Sequence, residues 1–407
     1  MTRNAATTPA QPLPCPFDEA FARDPHAVHA RLRAAGPVHR VALPDGSPVW
    51  LVTRAPDVRD GLADARFSVN KRHSTTGFSG FSLPPALDAN LLNVDPEDHL
   101  RLRRLVAKGF TARHVESLRA GIQDCVDELV TGLAQEIARS GEADLVGSFA
   151  RPLPLRTVGA LLRVPAPDQE RFSGWVATML APRTKEELVA AVGHAHRFLK
   201  ELVEQRRGAP GDDMLSGLIA ARDDEDRLTE DELVSLAFLI LMAGSETVQH
   251  VIGSGLLTLL THPDQLAVVR ADPARLPDAV EELLRYTGPH QTAVRRFPTE
   301  PVEIGGVRIP AGDTVLFSLA SAHRDPERHP DPDRFDIDRD DKAHLALGHG
   351  LHYCLGAPLA RLQISLALAA LLDRLPGLRP ALPVDQLSWT TTFRFHALRA
   401  LPVTADL

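Results

Sequence analysis

Cysteine is scarce in this chain. Cys15, Cys125 and Cys354 are the only ones among 407 residues. An odd, scattered count excludes a disulfide framework, and nothing about it offers a zinc knuckle or the clustered ligands of an iron–sulfur centre. A long apolar run is also missing. The most apolar stretch, Leu236 to Ala243, falls far short of the roughly 20 residues that a membrane span requires. The opening, MTRNAATTPAQPLPCPFD, lacks the apolar core of a secretory signal. Positive charge is not in excess either: the formal net charge is -8, which argues against nucleic acid as the main partner. No internal repeat and no persuasive dinucleotide or flavin fingerprint is present. The expectation is a cytoplasmic chain with no stable membrane insertion and no nucleic-acid partner.

What is present is enough for a large core: apolar residues make up 44% and charged residues 24%, ordinary values for a globular protein. Residues 1–16, rich in Pro, Ala and Thr, read as a loose N-terminal segment. No later stretch divides the chain convincingly, so 17–407 is expected to form one domain. A helix is predicted over Pro25 to Ala35, then a hairpin of Val38–Val41 and Val49–Thr53 around Pro44-Asp45-Gly46. Residues 73–93 lack periodicity and read as a lid or substrate-contact loop rather than a plain surface loop. From about Pro96 to Leu260 apolar positions recur at three and four, as in Ile122, Val126, Leu129 and Leu133, so this half is helical. Further helices are predicted over Pro277–Tyr286 and Pro358–Arg374, with short strands at Val302–Ile304 and Thr314–Phe317. Periodicity thus predicts a mainly α fold with small β-sheets.

Two segments carry chemistry. In HLALGHGLHYCLGAPLAR, Gly348 and Gly350 permit a tight backbone path, and Pro358 suits the first turn of a helix. Cys354 therefore lies just ahead of a helix N-terminus, which favours a thiolate. A solitary cysteine is usually a small apolar residue, a reading that suits Cys15 and Cys125 but not Cys354 in this setting. The second segment begins with Thr229 and Glu232 at capping-box spacing and runs as one helix to about Leu260. Within it, Ala243-Gly244-Ser245-Glu246-Thr247 places a glycine, an acid and a hydroxyl where pure packing would not.

Together these segments resemble the cytochrome P450 family. Gly348, Gly350, His352, Cys354 and Gly356 fall in register with its haem-binding signature, with Leu347 where the family usually has Phe. Ala243, Gly244, Glu246 and Thr247 match its oxygen-binding segment. The resemblance implies a P450 fold with haem b between the long central helix and the cysteine loop, and Cys354 as the iron ligand. It implies Glu246 and Thr247 as the proton-delivering pair. It also implies Glu282 and Arg285 as a structural Glu-x-x-Arg pair with Arg334 as their partner, although spacing alone would allow a modest surface bridge. The haem propionates would be met by His99, Arg103, Arg296 (with Arg295 as the neighbouring alternative) and His352.

The same resemblance implies a monooxygenase fed by a ferredoxin and an NAD(P)H-dependent ferredoxin reductase, docking near Arg361 and the 101–104 region. Pocket residues are expected from several segments. Phe78, Phe81 and Leu92 come from the 73–93 stretch, and Met179 and Leu180 from the region after Trp175. The central helix offers Leu239, Ile240, Ala243 and Val248. His290, Thr292, Val294 and Phe393 complete the set. Their mix of Phe, Leu, Thr and His suggests a sizeable hydrophobic molecule bearing several oxygens. The style is that of actinobacterial P450s tailoring polyketides and macrolides by hydroxylation or epoxidation. Oxidative coupling, cyclisation or multistep oxidation of an aromatic, terpenoid or carrier-bound substrate is the alternative, with an acyl-carrier protein as partner. A haem-based ligand sensor is a second alternative, opposed by the Glu246-Thr247 pair.

Overall fold

The structure, a computed structural model, describes residues 13–75, 83–180, 182–223 and 227–407. Asp24 starts the first long helix, α1 (Pro25–Ala35), by accepting a hydrogen bond from the Ala27 amide at 3.0 Å, with proline in the first turn and Gly36 at the end. The predicted hairpin follows as β1 (Val38–Ala42) and β2 (Pro48–Val52), paired antiparallel with Val38 opposite Val52. A distant strand, β3 (Val315–Phe317), completes the sheet by running parallel to β2. Helix α2 (Ala55–Ala63) packs beside it.

The helical half is built as the apolar spacing predicts. Helix α3 covers Pro96–Val106. Helix α4 (Arg119–Ser140) buries Ile122, Val126, Leu129, Leu133 and Ile137 along one stripe and stops at Gly141, whose φ of 86° is left-handed. Then come α5 (Pro152–Leu161), α6 (Ala166–Leu180) and α7 (Lys185–Gly208). The central helix, α8 (Glu230–Thr261), is 32 residues long. Its capping box is closed in both directions: Thr229 Oγ1 accepts from the Glu232 amide at 3.2 Å, and Glu232 Oε2 accepts from the Thr229 amide at 2.8 Å. Helix α9 (Leu276–Thr287) and helix α10 (Ala357–Arg374) flank it, and both pack against α8. Near the end of the chain, β4 (Trp389–Thr391) and β5 (His396–Leu398) form a second hairpin.

Two readings need correction. Helix α8 is by length and composition long enough to cross a membrane, despite its short uninterrupted apolar run; 67% of its most apolar window is buried, as in a core helix. The 73–93 segment is not loop throughout, since Pro85–Asp88 is helical and buries Ala86 and Leu87. Phe78 and Phe81, expected in the pocket, lie outside the described residues, as do residues 1–12 of the N-terminal segment.

The core is split, and the split locates the site. One apolar cluster takes Leu233 to Leu241 from α8 together with residues of α5, α6 and α7. The other takes Val248 to Leu259 from α8 together with α4, α9 and α10. The motif Ala243–Thr247 falls at the seam between the two. Ala243 is exposed although it lies midway along a mostly buried helix, so an open space lies against that turn.

Candidate functional site

The cysteine loop enters the same seam from the opposite side. Leu347 packs on the α9–α10 core and Leu355 on the α5–α7 core, so Cys354 lies between residues anchored in both. The loop path depends on glycine at two points. Gly348 and Gly350 have φ of 75° and 70°, and a Cβ at residue 350 would come within 3.0 Å of Ala63 Cα in α2. The Cys354 amide donates to the Leu347 carbonyl at 2.8 Å, which closes the loop back on itself. Leucine at 347 therefore supplies both the acceptor and apolar bulk beside the cysteine.

Burial pushes the Cys354 thiol above its ordinary range, while the Gly356 amide and the charges of Arg103 and Arg361 pull the other way. A bound cation would resolve that conflict, because a metal-coordinated thiol is deprotonated outright. Gly356 caps α10, and a Cβ there would stand 4.0 Å from the sulfur.

A cationic group gathers around one side of the loop. The His99 and His352 rings are 4.3 Å apart. His99 Nδ1 pairs with the Leu91 carbonyl at 3.0 Å, whereas its Nε2 is buried and makes no hydrogen bond of good geometry. Arg103 donates to the carbonyls of Tyr353 at 2.8 Å and Leu351 at 3.4 Å. Arg296 is buried and donates only to its own segment, at Val294 and Arg295. Burial first, then Arg295, lowers Arg296 to about 10; burial first, then Arg296 and His99, lowers His352 to about 3. A buried guanidinium whose side chain, among the described residues, meets only carbonyls needs an anion. Two carboxylates of a planar cofactor match that need, as an apolar slot and a thiolate match its metal. The residues present fit haem.

On α8, Thr247 Oγ1 donates to the Ala243 carbonyl at 3.3 Å, one turn back beside the exposed Ala243. Glu246 faces His250, with 3.6 Å between Oε2 and Nε2. Gly244 has a packing reason of its own: a Cβ there would meet Val158 Cγ1 of α5 at 2.4 Å. The glycine thus allows two helices to touch, a role that the sequence reading did not separate from ligand space.

The structural pair behaves as expected, but its partner does not. Glu282 and Arg285 are fully buried and bonded to each other. Arg334, the expected partner, contributes only its carbonyl, to Arg285 Nη2 at 3.2 Å, and its side chain points to Asp336 with 64% exposure. The arginine that reaches Glu282 is Arg339, at 3.3 Å. Both residues sit in a stretch without periodicity, so spacing gave no means of choosing between them. Arg361, expected on a docking face, is engaged by Glu281, its Nη2 donating at 2.8 Å.

The pocket list divides. Met179 is 2% exposed and packs in the α5–α7 core. Val248 is likewise buried in a core cluster. Leu180 ends α6. Leu92 packs on the α5–α7 core, and Leu239 and Ile240 are buried in it next to the Ala243 turn. Thr292 is buried and donates to the Phe393 carbonyl at 3.2 Å. Val294 is half-buried and supplies the carbonyl that Arg296 binds. Phe393 itself turns away, onto Phe17 at 5.7 Å and the β1–β2 hairpin. Phe395, two residues later, faces α8, with its ring tilted against that of His290 at 4.9 Å. The strand-like turn holding both was legible, but not which ring points inward.

Comparison with known proteins agrees with this geometry. The family model described as Cytochrome P450 matches residues 169–376. The chain is 47% identical to the cytochrome P450 monooxygenase PikC of Streptomyces venezuelae, over 94% of this chain and 91% of that one. It is 40% identical to the 6-deoxyerythronolide B hydroxylase of Saccharopolyspora erythraea, over 95% and 98%. Among solved structures, the tirandamycin C-bound P450 monooxygenase TamI superposes with a TM-score of 0.88 at 41% identity, covering 96% of this chain and 99% of that one.

Proposed function

The chain belongs to the cytochrome P450 family, and from that premise we propose that it inserts one oxygen atom from dioxygen into a C–H bond or alkene of a polyketide or macrolide intermediate. The enzyme class is a haem b-dependent P450 monooxygenase, so the sensor alternative falls away. It draws electrons from an external donor system; a ferredoxin with an NAD(P)H-dependent reductase is the form we propose. The bound haem supplies the reductive activation of dioxygen and the oxygen transfer.

The chain's own residues do the rest. Cys354 ligates the iron through its sulfur, and the loop amides around it set its charge. His99, Arg103, Arg296 and His352 hold the propionates. Thr247 and Glu246 carry protons in from α8. Apolar residues around the seam, Leu239 and Ile240 among them, limit water at the reacting centre. Leu92, His290 and Phe395 orient the substrate.

One observation carries the reading: a glycine-shaped cysteine loop and the Ala243–Thr247 turn meet the same seam between two cores, beside the buried guanidinium of Arg296. For the substrate, support comes from the relatives, since 6-deoxyerythronolide B and tirandamycin C appear in the names of two of them. Titrating the ferric holoenzyme with a panel of macrolactones tests it. The expected result is a saturable low-spin to high-spin change for at least one member, followed by a product one oxygen heavier. A panel without any spin change, alongside turnover of an aromatic or carrier-tethered compound, would overturn the substrate assignment.

A further inference from the structure

We propose that His250 is a positioning residue that holds the Glu246 carboxylate in place for proton delivery, an inference that rests on the role given to Glu246 above. The two are four residues apart on one face of α8, with 3.6 Å between Glu246 Oε2 and His250 Nε2 and side chains only 19% and 14% exposed. A carboxylate that delivers protons to one place has to be held in one rotamer. Among the described residues, no lysine or arginine forms an ion pair with Glu246, and His250 takes that place.

The surroundings of His250 fix its ring. On the side facing α8, His290 and Phe395 form an isolated β-bridge with their rings tilted and 4.9 Å apart, and Phe395 lies 6.4 Å from the His250 ring. His290 is held to about 4 by burial, with a smaller contribution from His250, so it is neutral near pH 7 and does not compete for Glu246. His396, in β5, is turned to Thr391 Oγ1 at 2.8 Å and stacks flat on Trp389 at 4.4 Å. His250 thus has the Phe395 ring 6.4 Å away on one side and the Glu246 carboxylate at 3.6 Å on the other. An imidazole can hold it and also exchange a proton with it, through a side chain with two ring nitrogens. Removing His250 frees the carboxylate to leave the rotamer in which it stands one position before Thr247.

The test uses the substrate-free holoenzyme, a surrogate ferredoxin–reductase pair and NAD(P)H. Dioxygen taken to peroxide consumes one NAD(P)H and one proton; dioxygen taken to two waters consumes two of each, and this second outcome depends on proton delivery. His250→Leu is expected to raise peroxide formed per NAD(P)H and lower the water-forming flux about tenfold, a fraction of the ~10²–10⁴ that a placed proton donor contributes. In an E246Q background the same substitution should change nothing further, because His250 acts through Glu246. His250→Lys should restore part of the partition. Crystal structures of the holoenzymes supply a readout independent of turnover: the Glu246 carboxylate stays beside residue 250 in the native enzyme and departs in H250L. If H250L folds poorly, His250→Gln, which keeps a polar side chain, must still shift the partition. An effect of H250L that persists in E246Q, or an unmoved carboxylate with unchanged partition, overturns the inference. An E246Q enzyme with native partition overturns the Glu246 reading instead.

Discussion

Arg285 forks onto Glu282, with Nη2 and Nε donating to separate carboxylate oxygens at 2.7 and 2.8 Å and neither side chain exposed to solvent. The same guanidinium donates through Nη1 to the carbonyls of His323 and Pro332. One side chain thus ties α9 to the residues after β3 and to the irregular stretch before the cysteine loop.

Breaking that fork should be costly. Arg285→Leu leaves the Glu282 carboxylate buried with only the Asp336 amide at 3.0 Å and Arg339 at 3.3 Å, both on one oxygen, and removing one member of a buried pair costs about 3–5 kcal/mol. Denaturant unfolding followed by circular dichroism measures this. Arg334→Ala, which keeps the carbonyl that matters, should cost less than about 0.5 kcal/mol. Equal losses at the two positions would contradict the assignment.

A second acid beside the first gives a pH dependence. Burial works against ionisation of Glu281, but hydrogen bonds from Arg361 and His344 outweigh it and hold the carboxyl to about 2. A depressed folded-state value means stability that is fully present above the ordinary carboxylate range and lost as pH falls towards about 2. Glu281→Gln should therefore cost about 1–3 kcal/mol at pH 7, and the gap to the native protein should close on acidification. Urea midpoints at a series of pH values check this; a gap that widens in acid would show the sign to be wrong.

The contact at Gly244 makes a different kind of prediction. Gly244→Ala drives a methyl into Val158, and overpacking of this sort costs about 1–3 kcal/mol. In a Val158→Ala background the added methyl should be accommodated, so the two changes together are less harmful than their sum. Additive losses, measured by thermal unfolding of the apoprotein, would place the glycine's importance elsewhere.

The ligand assignment has a direct optical test. Cys354→Ser should abolish the thiolate type of ferrous-CO absorption spectrum while leaving α8 and α10 folded, as judged by far-ultraviolet circular dichroism. A thiolate-type spectrum in that variant would exclude Cys354 as the ligand. Cys15 is exposed and Cys125 lies on α4; serine at either position should leave the spectrum unchanged.

Much of the architecture was legible from periodicity and punctuation. The ends of α8 were marked by Thr229, Glu232 and the His262-Pro263 pair, and the body of α4 by its apolar stripe, because caps and stripes are local physics. The cysteine loop was legible because its glycines sit where φ is positive. What escaped were choices between near neighbours: Arg339 over Arg334, and Phe395 over Phe393. These depend on where a turn points its side chains after the chain has folded, which no spacing rule encodes. His250 escaped for another reason: a histidine at i+4 from an acid on an apolar helix reads as ordinary until its surroundings are known.

The irregular stretch before the cysteine loop has a consequence for how such chains diverge. Arg285 grips it through the carbonyls of Pro332 and Arg334, and Arg339 through those of Pro330, Asp331 and Arg334. A carbonyl is common to every amino acid, so the shape of this segment is specified largely by two arginines outside the positions they grip. Most of the gripped positions, Asp331 with its positive φ apart, are free to drift in identity while the arch before the cysteine loop keeps its form, and two descendants could share that arch with few letters in common.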